Sequence, residues 1–312
     1  MSIWNFGNSP LLSARALFLS EALLSGRDDL DPAESEPIAS QFGVFGVGLA
    51  SLPEGQPNFV VCILMDEARV NVPTTPSGIV LLPDVPDAVK MVQVLFGNVS
   101  SSTDLQWINS VAILPVPPPT PNTGPGDTIY ATQRGLAGIP VTWNYGKNSG
   151  ILTAGHLGPV GTVVTDGTST IGMIVFSSDP ALCGGKISAD VALVELTGGI
   201  TLSGGHAVSG RTHPAPAANV DVSTQKGIQT VALMGEAVYI NMLANGMYGS
   251  MYFSVSGVTK GGDSGGPVFM SGGTDVIGHV VGSSGAATSY FQDVKYQIDE
   301  IRSDPIFATL KM

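Results

Sequence analysis

The stretch VTKGGDSGGPVF, residues 258–269, combines residue types that could carry out nucleophilic chemistry, because Ser264 stands beside an aspartate with glycines on both sides. Glycine, aspartate and serine are also common in turns, so a surface turn is one interpretation. The other is that Ser264 is a nucleophile and that the glycines let backbone N–H groups approach the atom it attacks. That chemistry also requires a base and a group that orients the base.

Four histidines are candidates for the base, namely His156, His206, His213 and His279. His156 lies in ILTAGHLG, where an apolar run ends in small residues, and this pattern predicts an imidazole delivered at the end of a strand. His206 and His213 lie in Gly-, Ser- and Pro-rich surroundings typical of exposed loops. Position therefore favours His156 as the base.

Asp190 is the candidate for the orienting group. It lies in SADVALVEL, at the edge of an apolar run, where an unpaired charge would be costly. A carboxylate there could hold the imidazole tautomer and stabilise its cation. An aspartate that caps a turn before a core strand is the alternative.

The motifs LTAGH, ADVALVEL and GGDSGGP occur in this order along the chain. Together they resemble the trypsin-like serine proteases of the chymotrypsin fold, in which a His-Asp-Ser triad spans two six-stranded β-barrels. The resemblance covers roughly residues 128–292. It implies His156 as the base, Asp190 as the orienting carboxylate and Ser264 as the nucleophile. It also implies that the N–H groups of Gly262 and Ser264 form the oxyanion hole.

The same resemblance indicates the primary specificity pocket. Six positions before the nucleophile, where cleavage after Arg or Lys requires an aspartate, this chain has Val258. The expected pocket residues are Val258, Thr259, Val280, Gly282 and Ser283. These side chains are uncharged, so the sequence predicts cleavage after apolar residues and argues against Arg or Lys.

His279 leaves a second specificity open, because glutamyl-specific and viral relatives read Glu or Gln with a histidine beside a threonine. Thr259 is present, but His279 stands one position early. A slip of one residue turns a strand side chain to the opposite face. The apolar pocket is therefore preferred over the Glu or Gln pocket.

Two family features are missing from the sequence. No Ile-Val-Gly-Gly run occurs to provide an activating N-terminus, so Asp263, which pairs with that terminus elsewhere in the family, needs another partner. The only cysteines, Cys62 and Cys183, allow one disulfide but are better interpreted as buried thiols. The resemblance is therefore closer to prokaryotic or intracellular-type members.

The Pro-rich stretch PVPPPTPNTGPGD, residues 115–127, is predicted to be an extended linker between two domains, with a long loop inside one domain as the alternative. Residues 1–114 are predicted to form a small α+β module that inhibits the protease, recognises a partner or assists folding. Residues 128–312 are predicted to form a mainly β, chymotrypsin-like double β-barrel with a C-terminal helix.

Short apolar runs between turns predict the strands of this second part. In the first part, apolar spacing predicts a helix near residues 11–25, and PDAVKMVQVLFG is ambiguous between helix and strand. The predicted strand runs are TIYATQ, PVTWN, SGILTAG, GTVVT, IGMIVFSS, DVALVEL, AVYINML, MYFSV, GPVFM and DVIGHVVGS.

The composition limits the function classes. With 13 basic and 25 acidic residues the net charge is −12, which argues against nucleic acid as a partner. No apolar run is long enough to span a bilayer, and no convincing signal peptide is present, so a cytoplasmic location without membrane contact is predicted. No cofactor or metal is expected. The predicted function is a serine endopeptidase acting on proteins or peptides, and the alternative is a catalytically silent protease-fold binding module.

Overall fold

The computed structural model describes residues 10–24, 38–51, 59–66, 80–97, 103–116, 120–121, 129–167, 169–197, 208–215, 217–242 and 246–312. His206 lies outside these ranges.

The chain forms two compact units. Unit 1 consists of Met1–Pro118 together with Met234–Asn241, and unit 2 consists of Pro119–Leu233 together with Met242–Met312. The first boundary lies within the predicted linker. The segment Met234–Asn241, which the sequence places in the protease domain, belongs to unit 1.

Unit 1 is a small α+β unit. Its sheet has the order Gly235–Ile240, β1, β2, β4, β3, and β2 and β4 run parallel. β1 is buried along almost its whole length, which agrees with its nearly continuous apolar sequence. The elements are α1 (Pro10–Leu24), α2 (Ile38–Gln41), β1 (Val44–Ser51), β2 (Phe59–Asp66), β3 (Val80–Leu81), α3 (Pro86–Phe96) and β4 (Ala112–Val116).

The ambiguous run PDAVKMVQVLFG forms the helix α3. Its buried residues Ala88, Met91 and Val92 lie on one face at helical spacing. A proline stands at the first helical position, where a backbone N–H would have no partner within the helix. The absence of this N–H in proline therefore costs nothing, and proline favours the helix start. Gly97, with φ of 68°, ends it.

Unit 2 is mainly β and contains two sheets. Its elements are β5 (Thr120–Pro121), β6 (Ile129–Tyr130), β7 (Arg134–Gly135), β8 (Ile139–Trp143), β9 (Asn148–Thr153), β10 (Val163–Thr165), β11 (Thr170–Ser178), β12 (Ile187–Ser188), β13 (Val191–Leu196), β14 (Gly210–Arg211), β15 (Asn219–Thr224), the unit 2 part of β16 (Gly227–Asn241), β17 (Met247–Ser254), β18 (Pro267–Met270), β19 (Asp275–Ser283), β20 (Ser289–Asp293) and α4 (Val294–Arg302).

The first sheet has the order β7-β6-β10-β11-β13-β9-β8. The second has the order β12-β17-β20-β19-β18-β15-β16, and β5 and β14 both pair with β19. Each sheet has its own apolar core, and a third cluster joins β8, β9 and β13 to β18, β19 and α4. Two curled sheets with separate cores are the arrangement expected of a double β-barrel.

The predicted fold class, mainly β and preceded by a small α+β part, is confirmed. Each of the ten predicted strand runs contains strand residues, and the predicted first and last helices are α1 and α4. In unit 2, the sequence did not predict β5, β7, β12, β14, β15, β20 or the unit 2 part of β16.

Cys62 is buried and Cys183 half-buried, and both are free thiols. Burial raises the pKa of Cys62 to about 12, so this thiol is not reactive near neutral pH. Within the described ranges, no helix is long and apolar enough to cross a membrane.

Candidate active site

His156 and Asp190 form a close pair, in which Asp190 is buried and His156 is partly buried. His156 follows β9 in a single 3-10 turn, Gly155–Leu157, and Asp190 directly precedes β13. The Nδ1 atom of His156 lies 2.8 Å from Oδ2 of Asp190, and the backbone N–H of His156 donates to Oδ1 at 2.9 Å. One residue therefore binds both carboxylate oxygens, which fixes the plane of the carboxylate and the direction of the ring.

This geometry selects one tautomer of His156. A carboxylate can only accept hydrogen bonds, so Nδ1 of His156 carries the proton that points to Asp190. In the neutral ring Nε2 is then the basic nitrogen. The pair therefore has the tautomer that a general base requires.

Asp190 is fully buried. Burial raises its pKa, but the charge of His156 and the hydrogen bonds from it outweigh burial, so the pKa lies below its ordinary value. The carboxylate is thus ionised across the neutral range and can stabilise an imidazolium at His156.

Gly155 is required by a close contact next to this pair. A Cβ at this position would overlap with the carbonyl oxygen of Ser178 and lie 2.9 Å from the backbone nitrogen of Val191. The glycine therefore lets the His156 turn pack against the ends of β11 and β13.

Ser264 lies in a buried turn between β17 and β18. The carboxylate of Asp263 accepts from the backbone N–H groups of Gln225 at 2.8 Å and Lys260 at 2.9 Å. The side chain of Gln225 donates to the carbonyl of Gly261 at 2.8 Å. Asp263 therefore has the partner that the sequence left open, and the Ser264 turn is anchored to the β15–β16 hairpin.

The segments that carry Ser264 and His156 are neighbours. Leu136 donates its N–H to the carbonyl of Ser264 at 2.8 Å, and Gln133 donates to the carbonyl of Leu157 at 2.9 Å. A Cβ on Gly135 would lie 2.7 Å from the Ser264 carbonyl oxygen and 2.5 Å from Cδ1 of Leu157. Residues 133–136 thus hold the serine turn beside the histidine turn.

Glycine conformation shapes the predicted oxyanion hole. Gly262 has φ of 88°, a backbone conformation that residues with a Cβ rarely adopt. This conformation explains why the position is occupied by glycine. Gly265 donates to Val280 at 2.8 Å and Gly266 donates to Asp263 at 3.0 Å. These bonds fix the backbone that follows Ser264.

Three of the predicted pocket residues, Val258, Thr259 and Ser283, contact or pair with Ser289, the first residue of β20. Its Oγ accepts from the N–H groups of Val258 at 2.9 Å and Thr259 at 3.0 Å, and it lies 2.9 Å from Oγ1 of Thr259. Ser289 also pairs with Ser283 across β19 and β20. Ser289 was missed in the sequence because a lone serine at the start of an unpredicted strand carries no signal.

Val280 and Gly282, the other two predicted pocket residues, lie in different surroundings. Val280 is buried in the apolar cluster of the second sheet, with Val258 packed against it. Gly282 and Ser283 lie at the end of β19, where β5 pairs with them.

His279 and His213 have other partners. His279 is fully buried, and its Nε2 lies 2.9 Å from the carbonyl oxygen of Asp190. Its ring therefore contacts the main chain of Asp190. His213 is partly exposed, as its loop composition suggested, and its Nδ1 lies 2.9 Å from the hydroxyl of Tyr252. In the part of the chain that the structure describes, no group of three or more His, Cys, Asp or Glu side chains could hold a metal ion.

No protein-family model and no curated protein matches this chain. Among solved structures it is similar to the Nocardiopsis protease, with 27% identity, a TM-score of 0.46 and coverage of 56% of this chain and 94% of that one. It is similar to Cellulomonas bogoriensis chymotrypsin, with 24% identity, a TM-score of 0.44 and coverage of 56% and 93%. It is also similar to a glutamic acid specific serine protease, with 22% identity, a TM-score of 0.46 and coverage of 56% and 95%.

By their names these neighbours are proteases, one of them a serine protease, and the chain is similar to each of them over 56% of its length.

Proposed function

We propose that the protein is a serine endopeptidase that cleaves peptide bonds through His156, Asp190 and Ser264. The observation that supports this most strongly is the His156–Asp190 pair, held at 2.8 Å beside the backbone of the Ser264 turn. No cofactor takes part in this proposal. Its substrates are proteins or peptides.

In this mechanism Oγ of Ser264 attacks the scissile carbonyl while Nε2 of His156 takes the hydroxyl proton. The N–H groups of Gly262 and Ser264 stabilise the oxyanion that forms. The carbon–nitrogen bond then breaks, and His156 returns the proton to the leaving amine. Water hydrolyses the acyl-enzyme by the same path, and Asp190 stabilises the imidazolium in both halves.

We propose further that the pocket takes an uncharged, apolar side chain. Val258 and Val280 belong to an apolar environment, and the hydroxyls of Thr259 and Ser289 already bond one another. The contact between His279 and the Asp190 carbonyl disfavours the Glu or Gln alternative, because this imidazole is engaged elsewhere.

A positional-scanning peptide library tests both proposals with the full chain. We expect endoproteolytic cleavage after Leu, Met, Phe or smaller apolar residues. Dominant cleavage after Arg or Lys would contradict the pocket, and dominant cleavage after Glu or Gln would support the alternative specificity. A correctly folded protein that cleaves no library member would contradict the endopeptidase itself.

We also propose that the N-terminal part restrains the protease through the linker. β5, Thr120–Pro121, pairs antiparallel with Gly282 and Ser283, which are predicted pocket residues. Addition of a strand to a sheet edge is a common mode of peptide binding, so β5 competes with substrate for this edge. As part of the same chain, β5 has a high effective concentration there.

The sequence of the linker allows a backbone-specific test. Positions 117, 118, 119 and 121 are proline, so Thr120 carries the only backbone N–H in residues 117–121. We expect Thr120→Pro, which removes this donor, to raise kcat/KM for short peptides about fivefold, the effect of one lost hydrogen bond. Thr120→Ala keeps the donor and should match the wild type. Equal activity of all three proteins would exclude restraint by β5.

A further inference from the structure

The main chain of Asp190 is held by side chains from the second sheet. Gln292 of β20 accepts from the N–H of Asp190 with Oε1 at 2.8 Å, and His279 of β19 contacts the carbonyl oxygen of Asp190 with Nε2 at 2.9 Å. All three residues are fully buried. Asp190 directly precedes β13, and its N–H and C=O both bond these side chains.

Gln292 can hold only one orientation. Its Nε2 donates to the carbonyl of Gly249 in β17 at 2.8 Å. Rotation of the amide by half a turn would place its oxygen against that carbonyl and its NH₂ group against the N–H of Asp190. The contact to β17 therefore keeps Oε1 directed at the N–H of Asp190.

His279 can serve as a neutral donor. Burial lowers its pKa to about 4, although the nearby Asp190 acts in the opposite direction. The ring is therefore neutral near pH 7 and carries one N–H. The carbonyl oxygen of Asp190 can only accept, so this proton lies on Nε2 and His279 donates it to Asp190. The side-chain amide of Gln297 lies 2.8 Å from the same Nε2 and must therefore present its oxygen to the ring.

We propose that Gln292 and His279 are positioning residues that hold Asp190, through its main chain, at the place where its carboxylate binds His156. The proposal rests on the catalytic role of the His156–Asp190 pair proposed above. A displacement of the carboxylate would turn the His156 ring, and a misplacement of about 1 Å in a catalytic group can lower the rate about 100-fold.

A matched pair of substitutions at His279 tests this in the full chain. His279→Gln keeps a side-chain N–H that can reach the Asp190 carbonyl, whereas His279→Leu removes it. We expect His279→Leu to lower kcat about 10- to 100-fold with KM within about twofold, and His279→Gln to remain close to the wild type. A wild-type kcat for His279→Leu, or an equal loss for both variants, would overturn the proposal.

Two further measurements separate positioning from folding and from the proposed activity. Gln292→Met removes the acceptor for the Asp190 N–H from another strand, and it should lower kcat in the same way if His279→Leu fails to fold. The NMR resonance of the His156 Nδ1 proton should be retained in His279→Gln and shifted or broadened in His279→Leu or Gln292→Met. An unchanged resonance in the folded variants would overturn the positioning role even if the protein cleaves no peptide. Absence of cleavage by the wild type would instead contradict the proposed function.

Discussion

Ser264→Ala is expected to lower turnover of a good peptide substrate by about 10⁴- to 10⁶-fold. The substitution removes only the oxygen that would attack the carbonyl and leaves the backbone of the turn in place. Asp263, Leu136 and Val280 bind that turn through backbone and carboxylate contacts that do not involve the Ser264 hydroxyl. The loss should therefore occur without loss of the fold.

Steady-state turnover and labelling by a fluorophosphonate probe measure this effect. The wild type should be labelled at Ser264, and the alanine variant should not be labelled. Ser271→Ala is a matched control, because it removes the same atom from an exposed serine outside the candidate site. Ser271 directly follows β18, and its hydroxyl donates to Asp221. Near wild-type turnover by Ser264→Ala would contradict the nucleophile, and an unlabelled wild type would favour a silent binding module.

The order of the three motifs predicted much of the candidate site, since each lies next to a recognisable apolar run. His156 follows β9, Asp190 precedes β13 and Ser264 precedes β18, and all three strands were predicted. The candidate residues could therefore be recognised in the sequence together with the elements that carry them. The direct contact of His156 with Asp190 is visible only in the structure.

The residues that support the site were harder to predict because their signal is not local. Gln292 and Ser289 lie on β20, SYFQD, a short strand buried on both faces without an apolar-polar alternation. Their roles depend on Asp190 and Thr259, which are remote in sequence. A glutamine in a strand does not indicate a partner about 100 positions away.

The domain boundary also depends on contacts between residues that are remote in sequence. Proline density marked the linker, but the segment Met234–Asn241 lies far beyond it and supplies a strand of unit 1. The apolar sequence of this segment fits a strand in either unit. Only pairing with β1 determines its unit, and pairing partners are not encoded in a single run of residues.

Asp190→Asn is expected to lower kcat by about 10⁴-fold, because both oxygens of Asp190 accept hydrogen bonds from His156. An asparagine has one oxygen and one NH₂ group, so it can accept only one of the two hydrogen bonds from His156. At the other contact its NH₂ group faces a His156 N–H, unless the His156 nitrogen there loses its proton and accepts. With NH₂ facing Nδ1, the ring proton moves to Nε2, and His156 loses the lone pair that would accept the Ser264 proton.

Asp179→Asn is the matched control for this prediction. Burial raises the pKa of Asp179, and the nearby charges of Asp190 and His156 also act on this carboxyl group, Asp190 raising its pKa and His156 lowering it. Its Oδ1 accepts from the N–H of Ala181 at 3.0 Å, a bond that an asparagine oxygen can also make. We therefore expect Asp179→Asn to change kcat by less than about fivefold, the effect of one hydrogen bond. Equal losses in the two variants would show that negative charge near His156, rather than its tautomer, limits the rate. A loss below about tenfold in Asp190→Asn would remove Asp190 from the proposed triad.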